Sequence, residues 1–271
     1  MSNIPVNSLT SLSSERFMLR PAGPRKTALN HPHRDDYYIF GVLLSGTQTF
    51  SVDFRDISMS GRQAIVISPG QVHRPDGDLA SDGFVIIFAP EMLTETETSL
   101  IEEYSLGATP ITLSEDDFAD IKSLYSMLLR RIDMHTDVEL SIASAIKNII
   151  LQRIVMADKS VPGRYLRLAV GLKRLLIEHI ATEKSPSAYA AMLNVSGVYL
   201  NEAIRNVTGI SVHRYIISFA MLSAKRDLVY TDLPAQEIAR RLGYDDYSYF
   251  SRMFHRHTGM SPRAFRSKYL K

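Results

Sequence analysis

Apolar positions along this chain follow two different periods, and the change from one to the other divides it. From Phe17 to Pro90 they come in short runs, YYIFGVLL, QTFSVDF, AIVIS and FVIIFA, separated by stretches such as SGT and PGQ. Runs of this length, rich in Tyr, Phe, Val and Ile and bounded by turn formers, predict antiparallel strands in a compact barrel or sandwich. After Pro90 the spacing lengthens. Ile121, Leu124, Tyr125, Leu128, Leu129 and Ile132 recur at the three- and four-residue intervals of an amphipathic helix, with Ser114 and Asp117 placed to cap its start. A second helix is predicted from about Val138 to Ala157, with Ile142, Ile146, Ile149 and Ile150 on one face. The two can pack as a hairpin on the strands or offer a face to a second subunit, and the pattern alone does not choose.

Lys159-Ser160-Val161-Pro162-Gly163 breaks the helical period, so a linker is placed at 159–164, between domains at 1–158 and 165–271. Beyond it the pattern is almost wholly helical, beginning with Leu168, Leu172, Leu175 and Leu176 on one face, and it repeats itself. Ala190 and Leu193 recur 49 residues later as Ala239 and Leu242. Tyr199, Ile204, Thr208-Gly209 and Ser211 recur 50 residues later as Tyr249, Phe254, Thr258-Gly259 and Ser261. The one-residue slip falls where a turn belongs, and turns tolerate insertion. Each copy predicts helix, turn, helix. The first runs Ser187–Leu193, Asn194-Val195-Ser196, Gly197–Thr208, and the second Pro234–Leu242, Gly243-Tyr244-Asp245, Asp246–Thr258. Gly209 and Gly259 follow as left-handed caps, and Gly243 supplies the positive φ of a tight interhelical turn. Between the copies, Val212–Val229 predicts one helix of about 18 residues, roughly 27 Å long. Ser261-Pro262 opens a last helix through Lys271. A connector of that length sets two helices apart by close to one turn of B-DNA, roughly 34 Å. A helical solenoid would need three or more copies.

Charge sharpens this division. Met1–Lys159 carries 14 Lys and Arg against 21 Asp and Glu, a net of −7, whereas Ser160–Lys271 carries 17 against 8, a net of +9. A cationic half concentrates polyanions, while an acidic half resists lying along the same phosphates. An apolar fraction of 45% with 22% charged residues is that of a soluble globular chain, and no uncharged apolar run is long enough to span a bilayer. The opening MSNIPVNSLTSLSSERF lacks the regions of a secretion signal, so a cytoplasmic location without membrane contact is expected. The absence of cysteine excludes disulfides and thiolate metal sites.

The segment EIARRLGYDDYSYFSRMFHRHTGMSPRAFR, Glu237 to Arg266, resembles the strongest motif of AraC/XylS-type regulators through Ile238-Ala239, Gly243-Tyr244, Ser248-Tyr249-Phe250, Arg252, Phe254, Gly259, Pro262 and Arg266. YAAMLNVSGVYLNEAIRNVTGIS is similar to that family's looser first helix-turn-helix. His255 stands where a lysine is usual, and Glu202 puts an acid on the first recognition helix. The resemblance implies an α+β chain: a cupin-like β-barrel with a helical hairpin, followed by an all-α domain of two helix-turn-helix units joined by a long helix. It implies a sequence-specific transcription regulator, not an enzyme, with promoter DNA as partner, a homodimeric state, contact with RNA polymerase and a small-molecule effector of unknown identity. Helix geometry and side-chain chemistry nominate the DNA-facing residues. They are Ser196, Val198, Asn201, Glu202 and Arg205 in the first unit, and Asp246, Tyr247, Ser248, Ser251, Arg252 and His255 in the second. Tyr199, Leu200, Ile204, Phe250 and Phe254 are assigned to the core, and Arg240, Arg241, Arg256 and Arg263 to general phosphate contact.

In the N-terminal half, His31-Pro32-His33 and Ser68-Pro69-Gly70-Gln71-Val72-His73 resemble the two cupin motifs, whose histidines gather at the barrel mouth. A metal enzyme would add a carboxylate at a fixed distance. Asp35 and Asp36 are the nearest acids, with Tyr37 and Tyr38 beyond them, so the ligand set looks incomplete and neither metal nor other cofactor is assigned. His33, Tyr37, Phe50, His73 and Arg74 are nominated as an effector lining. Two alternatives stay open: a metal-dependent cupin enzyme with a DNA-binding appendage, and a helical adaptor that binds protein.

Overall fold

The computed structural model describes residues 6–7, 17–22, 33–76, 81–106, 109–131, 137–156 and 161–269. The chain forms two compact units, 5–158 and 159–271. In the first, the strands are β1 (Val6–Asn7), β2 (Phe17–Ala22), β3 (Arg34–Asp35), β4 (Tyr38–Ser45), β5 (Thr47–Val52), β6 (Arg55–Ser60), β7 (Gln63–Ile67), β8 (His73–Asp76), β9 (Asp82–Phe88) and β10 (Ile111–Thr112). Its helices are α1 (Glu95–Ser105), α2 (Glu115–Leu129) and α3 (Asp137–Met156).

Strand β4 shows why the run YYIFGVLL is apolar at nearly every position. Successive side chains of a strand point to opposite faces, and both faces of β4 are covered. Tyr38, Phe40 and Val42 pack with Phe84, Ile86 and Phe88 of β9 and with Ile121, Leu128, Ile146 and Ile150 of α2 and α3. Ile39 and Leu43 pack with Phe50, Val52, Ile57 and Met59 of β5 and β6. Each fully buried side chain such as Phe40 or Ile86 contributes about 1.5–3 kcal/mol relative to exposure. The hairpin of α2 and α3 therefore packs on the sheet. Ser114 caps α2 by accepting from the Asp117 N–H at 3.2 Å.

Several expectations change. The strands make a five-stranded sheet, in the order β10-β7-β4-β9-β2, and a separate three-stranded one, β6-β5-β8, while β1 pairs with β3. Two sheets stacked through the Phe50–Ile57 cluster thus replace a closed barrel, among the described residues. The run QTFSVDF is not one strand: β5 stops at Val52, and Asp53 and Phe54, both at positive φ (50° and 63°), turn the chain into β6. Strand β6 escaped the apolar pattern because only Ile57 and Met59 of it are buried. Helix α1 escaped because Ile101 is its one buried residue, although Thr94 and Glu97 form a full capping box at its start. Helix α2 ends at Leu129, and Ile132 lies outside the described residues.

The second unit is helical: α4 (Gly163–His179), α5 (Pro186–Met192), α6 (Gly197–Thr208), α7 (Val212–Tyr230), α8 (Ala235–Arg241), α9 (Tyr247–Thr258) and α10 (Pro262–Tyr269). Helix α4 begins at Gly163, so the last two residues of the expected linker are already helical. The final helix stops at Tyr269, and Leu270 and Lys271 lie outside the described residues. No described helix is long and apolar enough to cross a membrane.

Candidate nucleic-acid interface

The repeat read from side-chain spacing is a repeat of backbone hydrogen bonds. In the first turn the Asn194 N–H donates to Ala191 O at 3.0 Å and Val195 N–H to Ala190 O at 3.0 Å. In the second, 49 residues later, Gly243 N–H donates to Arg240 O at 2.9 Å and Tyr244 N–H to Ala239 O at 2.9 Å. Asn194 and Gly243 hold the same positive φ, 55° and 72°. The inserted residue is Asp245, because the caps that follow are offset by 50. Ser196 Oγ accepts from the Tyr199 N–H at 3.2 Å. Asp246 Oδ1 accepts from the Ser248 and Tyr249 N–H groups at 2.7 and 3.1 Å. The far ends match too. Thr208 and Thr258 donate their hydroxyls to Ile204 O and Phe254 O at 2.7 and 2.8 Å, and Gly209 and Gly259 close the helices at φ 75° and 72°.

This backbone presents one face of α6 and one of α9. Leu200, Ala203 and Ile204 bury one side of α6, and Phe250, Met253 and Phe254 the same side of α9. That leaves Val198 (82% exposed), Glu202 and Arg205 outward on α6, and Ser248, Arg252 and His255 outward on α9, with Tyr247 and Ser251 half-buried. At the 50-residue offset Glu202 stands opposite Arg252, and Arg205 opposite His255, so the two faces share a scaffold and carry different charges.

Four of the nominated residues also have hydrogen-bond partners within the domain. Ser196 and Asp246 spend their side-chain oxygens on helix caps. Asn201 Oδ1 accepts from the Val212 N–H at 3.2 Å, tying α6 to the start of α7. Glu202 is outward but tethered, because the Tyr165 hydroxyl of α4 donates to its Oε1 at 2.7 Å. Tyr199, assigned to the core, is half-buried and meets the Tyr165 ring edge-on at 5.7 Å. Its counterpart Tyr249 is 52% exposed and lies 6.3 Å, ring to ring, from Tyr244. Of the arginines, Arg240 and Arg241 are exposed and pair with Glu237 at 2.6 and 3.3 Å. Burial together with Lys225, Arg214 and Arg256 holds His257 below the usual imidazole range, which marks the end of α9 as a cationic surface.

Arg266, quoted only as a motif residue, fastens α10 to the end of α7. Its guanidinium donates to Leu228 O at 2.8 Å, Thr231 O at 3.1 Å and Leu233 O at 2.6 Å. A helix leaves its last carbonyls without intrahelical partners, and one planar fork serves Leu228 together with two carbonyls just beyond the helix.

The residues nominated as an effector lining sit apart from a cavity found among the described residues of the first unit. Tyr37 and Phe50 belong to the core between the sheets. The cavity, of about 320 Å³, is lined by Tyr104, Thr109, Ile111, Thr112, Arg153 and Met156 among others, and includes none of the five. His33 and His73 are buried together, paired through their backbones at 2.9 and 3.1 Å. Of the two acids named as nearest, Asp35, its side chain 3% exposed, lies with Oδ2 3.8 Å from His33 Nε2 and 3.3 Å from His73 Nε2. His31 lies outside the described residues. Burial and the neighbouring His33 lower the His73 pKa to about 3, and burial and the Asp35 carboxylate push the Tyr37 phenol up. Arg74 is half-buried on β8.

Residues 189–268 match the family described as "Helix-turn-helix domain". The chain is 28% identical over 120 residues to the HTH-type transcriptional activator RhaS of Shigella boydii, an alignment that covers 43% of either protein. The chain thus spans less than half the length of that relative. It is 22% identical over 261 residues to the HTH-type transcriptional regulator YdiP of Escherichia coli, covering 91% of this chain and 83% of YdiP. Among solved structures, the C-terminal domain of AraT, a response regulator from Geobacillus stearothermophilus, is 33% identical with a TM-score of 0.35, over 37% of this chain and 84% of that one.

Proposed function

From the premise that residues 189–268 form a helix-turn-helix domain of the AraC type, we propose that this chain is a sequence-specific DNA-binding transcription regulator. In this reading α6 and α9 enter successive major grooves. The observation that carries it is the pair of equivalent recognition helices, each capped, each with one polar face outward, joined by the single 19-residue helix α7. At 1.5 Å per residue that connector is roughly 28 Å long, which with its flanking units suits grooves roughly 34 Å apart. The transcriptional activators and regulators among its relatives support the same reading and give no support to an enzyme.

Arg205 on α6, and Ser248, Ser251, Arg252 and His255 on α9, then meet bases or phosphates, with Val198 and Tyr247 as apolar contacts, while Tyr165 holds the Glu202 carboxylate away from the phosphates. Arginine prefers guanine, and an apolar group prefers the thymine methyl. Ser196, Asn201 and Asp246 act by holding the helices. The first unit controls the second through a small molecule or a protein contact, in a cytoplasmic homodimer that touches RNA polymerase. Such control requires an effector affinity that differs between two arrangements of the chain. Genome-wide mapping of bound sites, followed by titration of one recovered fragment at two ionic strengths, tests the proposal. Specific, salt-dependent binding is expected. Its absence from every fragment would favour the protein-binding adaptor.

A further inference from the structure

We propose that Arg164, held by Tyr165 beside the first recognition helix, is a further DNA contact and meets a backbone phosphate at the rim of the groove that α6 enters. The proposal rests on the DNA-binding reading above and adds to it a residue outside both helix-turn-helix units. Its starting point is a shortage of positive charge. The outward face of α6 carries Glu202 and Arg205, which cancel, whereas the equivalent positions of α9 carry Arg252 and His255. Neutralised phosphates supply much of the affinity of a protein for DNA. The first helix-turn-helix therefore gains most from a cation brought in from elsewhere.

Helix α4 brings one. Arg164, Leu168, Gly171 and Leu175 recur at intervals of four and three residues, which places them along one side of the helix. That side turns toward the first helix-turn-helix, because a Cβ on Gly171 would lie 3.0 Å from Leu193 Cδ2 at the end of α5. Arg164 stands exposed at the start of the same side. Its neighbour Tyr165, 5% exposed, reaches α6 twice. The Tyr165 ring meets Tyr199 edge-on at 5.7 Å, and its hydroxyl donates to Glu202 Oε1 at 2.7 Å. The centre of the Arg164 guanidinium lies 5.2 Å from the middle of the Tyr165 ring. A hydrogen bond to the Tyr165 side chain, with Tyr199 and Glu202 close by, holds the Arg164 pKa above the usual arginine value. One tyrosine thus accepts from Arg164 and donates to Glu202.

Two consequences follow from this arrangement. An α-helix with its side chains is about 10–12 Å across and the major groove about 12 Å wide, so α6 fills the groove. A cation beside that helix then meets the phosphates along the rim. The second consequence concerns charge. Tyr165 draws one oxygen of Glu202 toward α4, while a hydrogen bond to a single phenol oxygen leaves Arg164 with donors for a phosphate. Arg164 also offsets the repulsion between Glu202 and the strand it lies near.

The test measures binding of the full chain to a fragment recovered by genome-wide mapping, and to a scrambled duplex, by fluorescence anisotropy across a range of salt. Arg164→Gln can still donate to the phenol but loses the charge. It should weaken binding to both duplexes by the same factor, about three- to tenfold, and make the slope of log K against log salt shallower by about 0.9. Arg164→Lys should restore the slope, since a phosphate accepts a point charge. A wild-type slope in Arg164→Gln would overturn the contact and leave the DNA-binding reading standing. Weakening confined to the specific duplex would also overturn it, by assigning the arginine to a base. An absence of salt-dependent binding by the wild-type chain would overturn both readings. A scan of duplexes carrying one neutral methylphosphonate locates the contact. One position should weaken the wild-type chain about three- to tenfold and leave Arg164→Gln unaffected, and equal weakening of both proteins at every position refutes the proposal.

Discussion

In the first helix-turn-helix the residue at positive φ is Asn194, exposed to solvent; in the second it is Gly243, whose missing side chain leaves room for another part of the chain. A Cβ on Gly243 would fall 2.0 Å from the Ala181 carbonyl oxygen. Lys184, just downstream, donates its ammonium to Gly243 O at 3.2 Å and Ile180 O at 3.1 Å. The second turn is thus packed against the segment after α4, whereas the first is an ordinary surface turn. The recognition helices differ in the opposite sense. In α6 the residues Asn201, Glu202 and Tyr199 are all tied to α7 or α4, while α9 is held mainly by its apolar side and its Asp246 cap. One backbone, used twice, can be supported from the turn or from the helix, and the unit supported from the turn keeps more of its polar face open.

The largest expected break in that comparison is at the two turns. Gly243→Ala should cost about 3–5 kcal/mol, combining a left-handed alanine with overlap against a backbone oxygen. Asn194→Ala should cost about 1 kcal/mol or less, since it removes neither packing nor a tight approach. Urea unfolding of the full chain, followed by far-UV circular dichroism, measures both, and equal costs would refute the difference in support. Next comes the closure of the second unit. Arg266→Ala should cost about 2–4 kcal/mol because it strips a charged donor from three carbonyls, and Arg266→Lys should recover less than half, because a point charge cannot serve all three. Full recovery with lysine would show that the charge and not the fork matters. At the framework position 50 residues earlier stands Ile216, which is simply buried.

On DNA, Arg252→Ala should weaken specific binding by about 1–3 kcal/mol, and Arg205→Ala by a similar amount, if each guanidinium meets a base edge. Fluorescence anisotropy on specific and scrambled duplexes separates the cases, since equal weakening on both would make the arginine a phosphate contact. The smallest effect is expected from Tyr165→Phe. Releasing Glu202 from α4 leaves the acid free to turn toward DNA, and specific affinity should fall roughly two- to threefold. Arg252→Ala should be additive with it, because Tyr165 acts on the first recognition helix and Arg252 lies on the second. An unchanged affinity would mean that Glu202 is already clear of DNA.

How much of this was legible follows from which interactions are local. The left-handed Gly209 and Gly259 and the alternating burial of α6 and α9 are properties of a few neighbouring residues, so spacing alone located them. The side chains of Ser196 and Asp246 were nonetheless given to DNA, because a polar residue at a helix start suits either role and only the hydrogen bond decides. Helix α1 and strand β6 were missed because a single apolar residue or a polar alternation carries too little periodic signal. The barrel expectation went astray because strand runs reveal strands but not which edges pair.

What the sequence determined by itself is the two-unit division, the change of charge between the units, and a twice-used helix-turn-helix framework, all of which depend on short-range spacing or on counting. Only the tertiary structure decided which polar residues are tied down. Asn201 reaches Val212, Tyr165 reaches Glu202 across 37 positions, and Arg266 reaches Leu228 across 38. It also decided that Asp35 joins His33 and His73, which are 40 positions apart in the chain yet neighbours across a β-bridge. The physical reason is the same in each case: a hydrogen bond or an ion pair is fixed by distances of about 3 Å in space, and those distances are set by how distant segments pack.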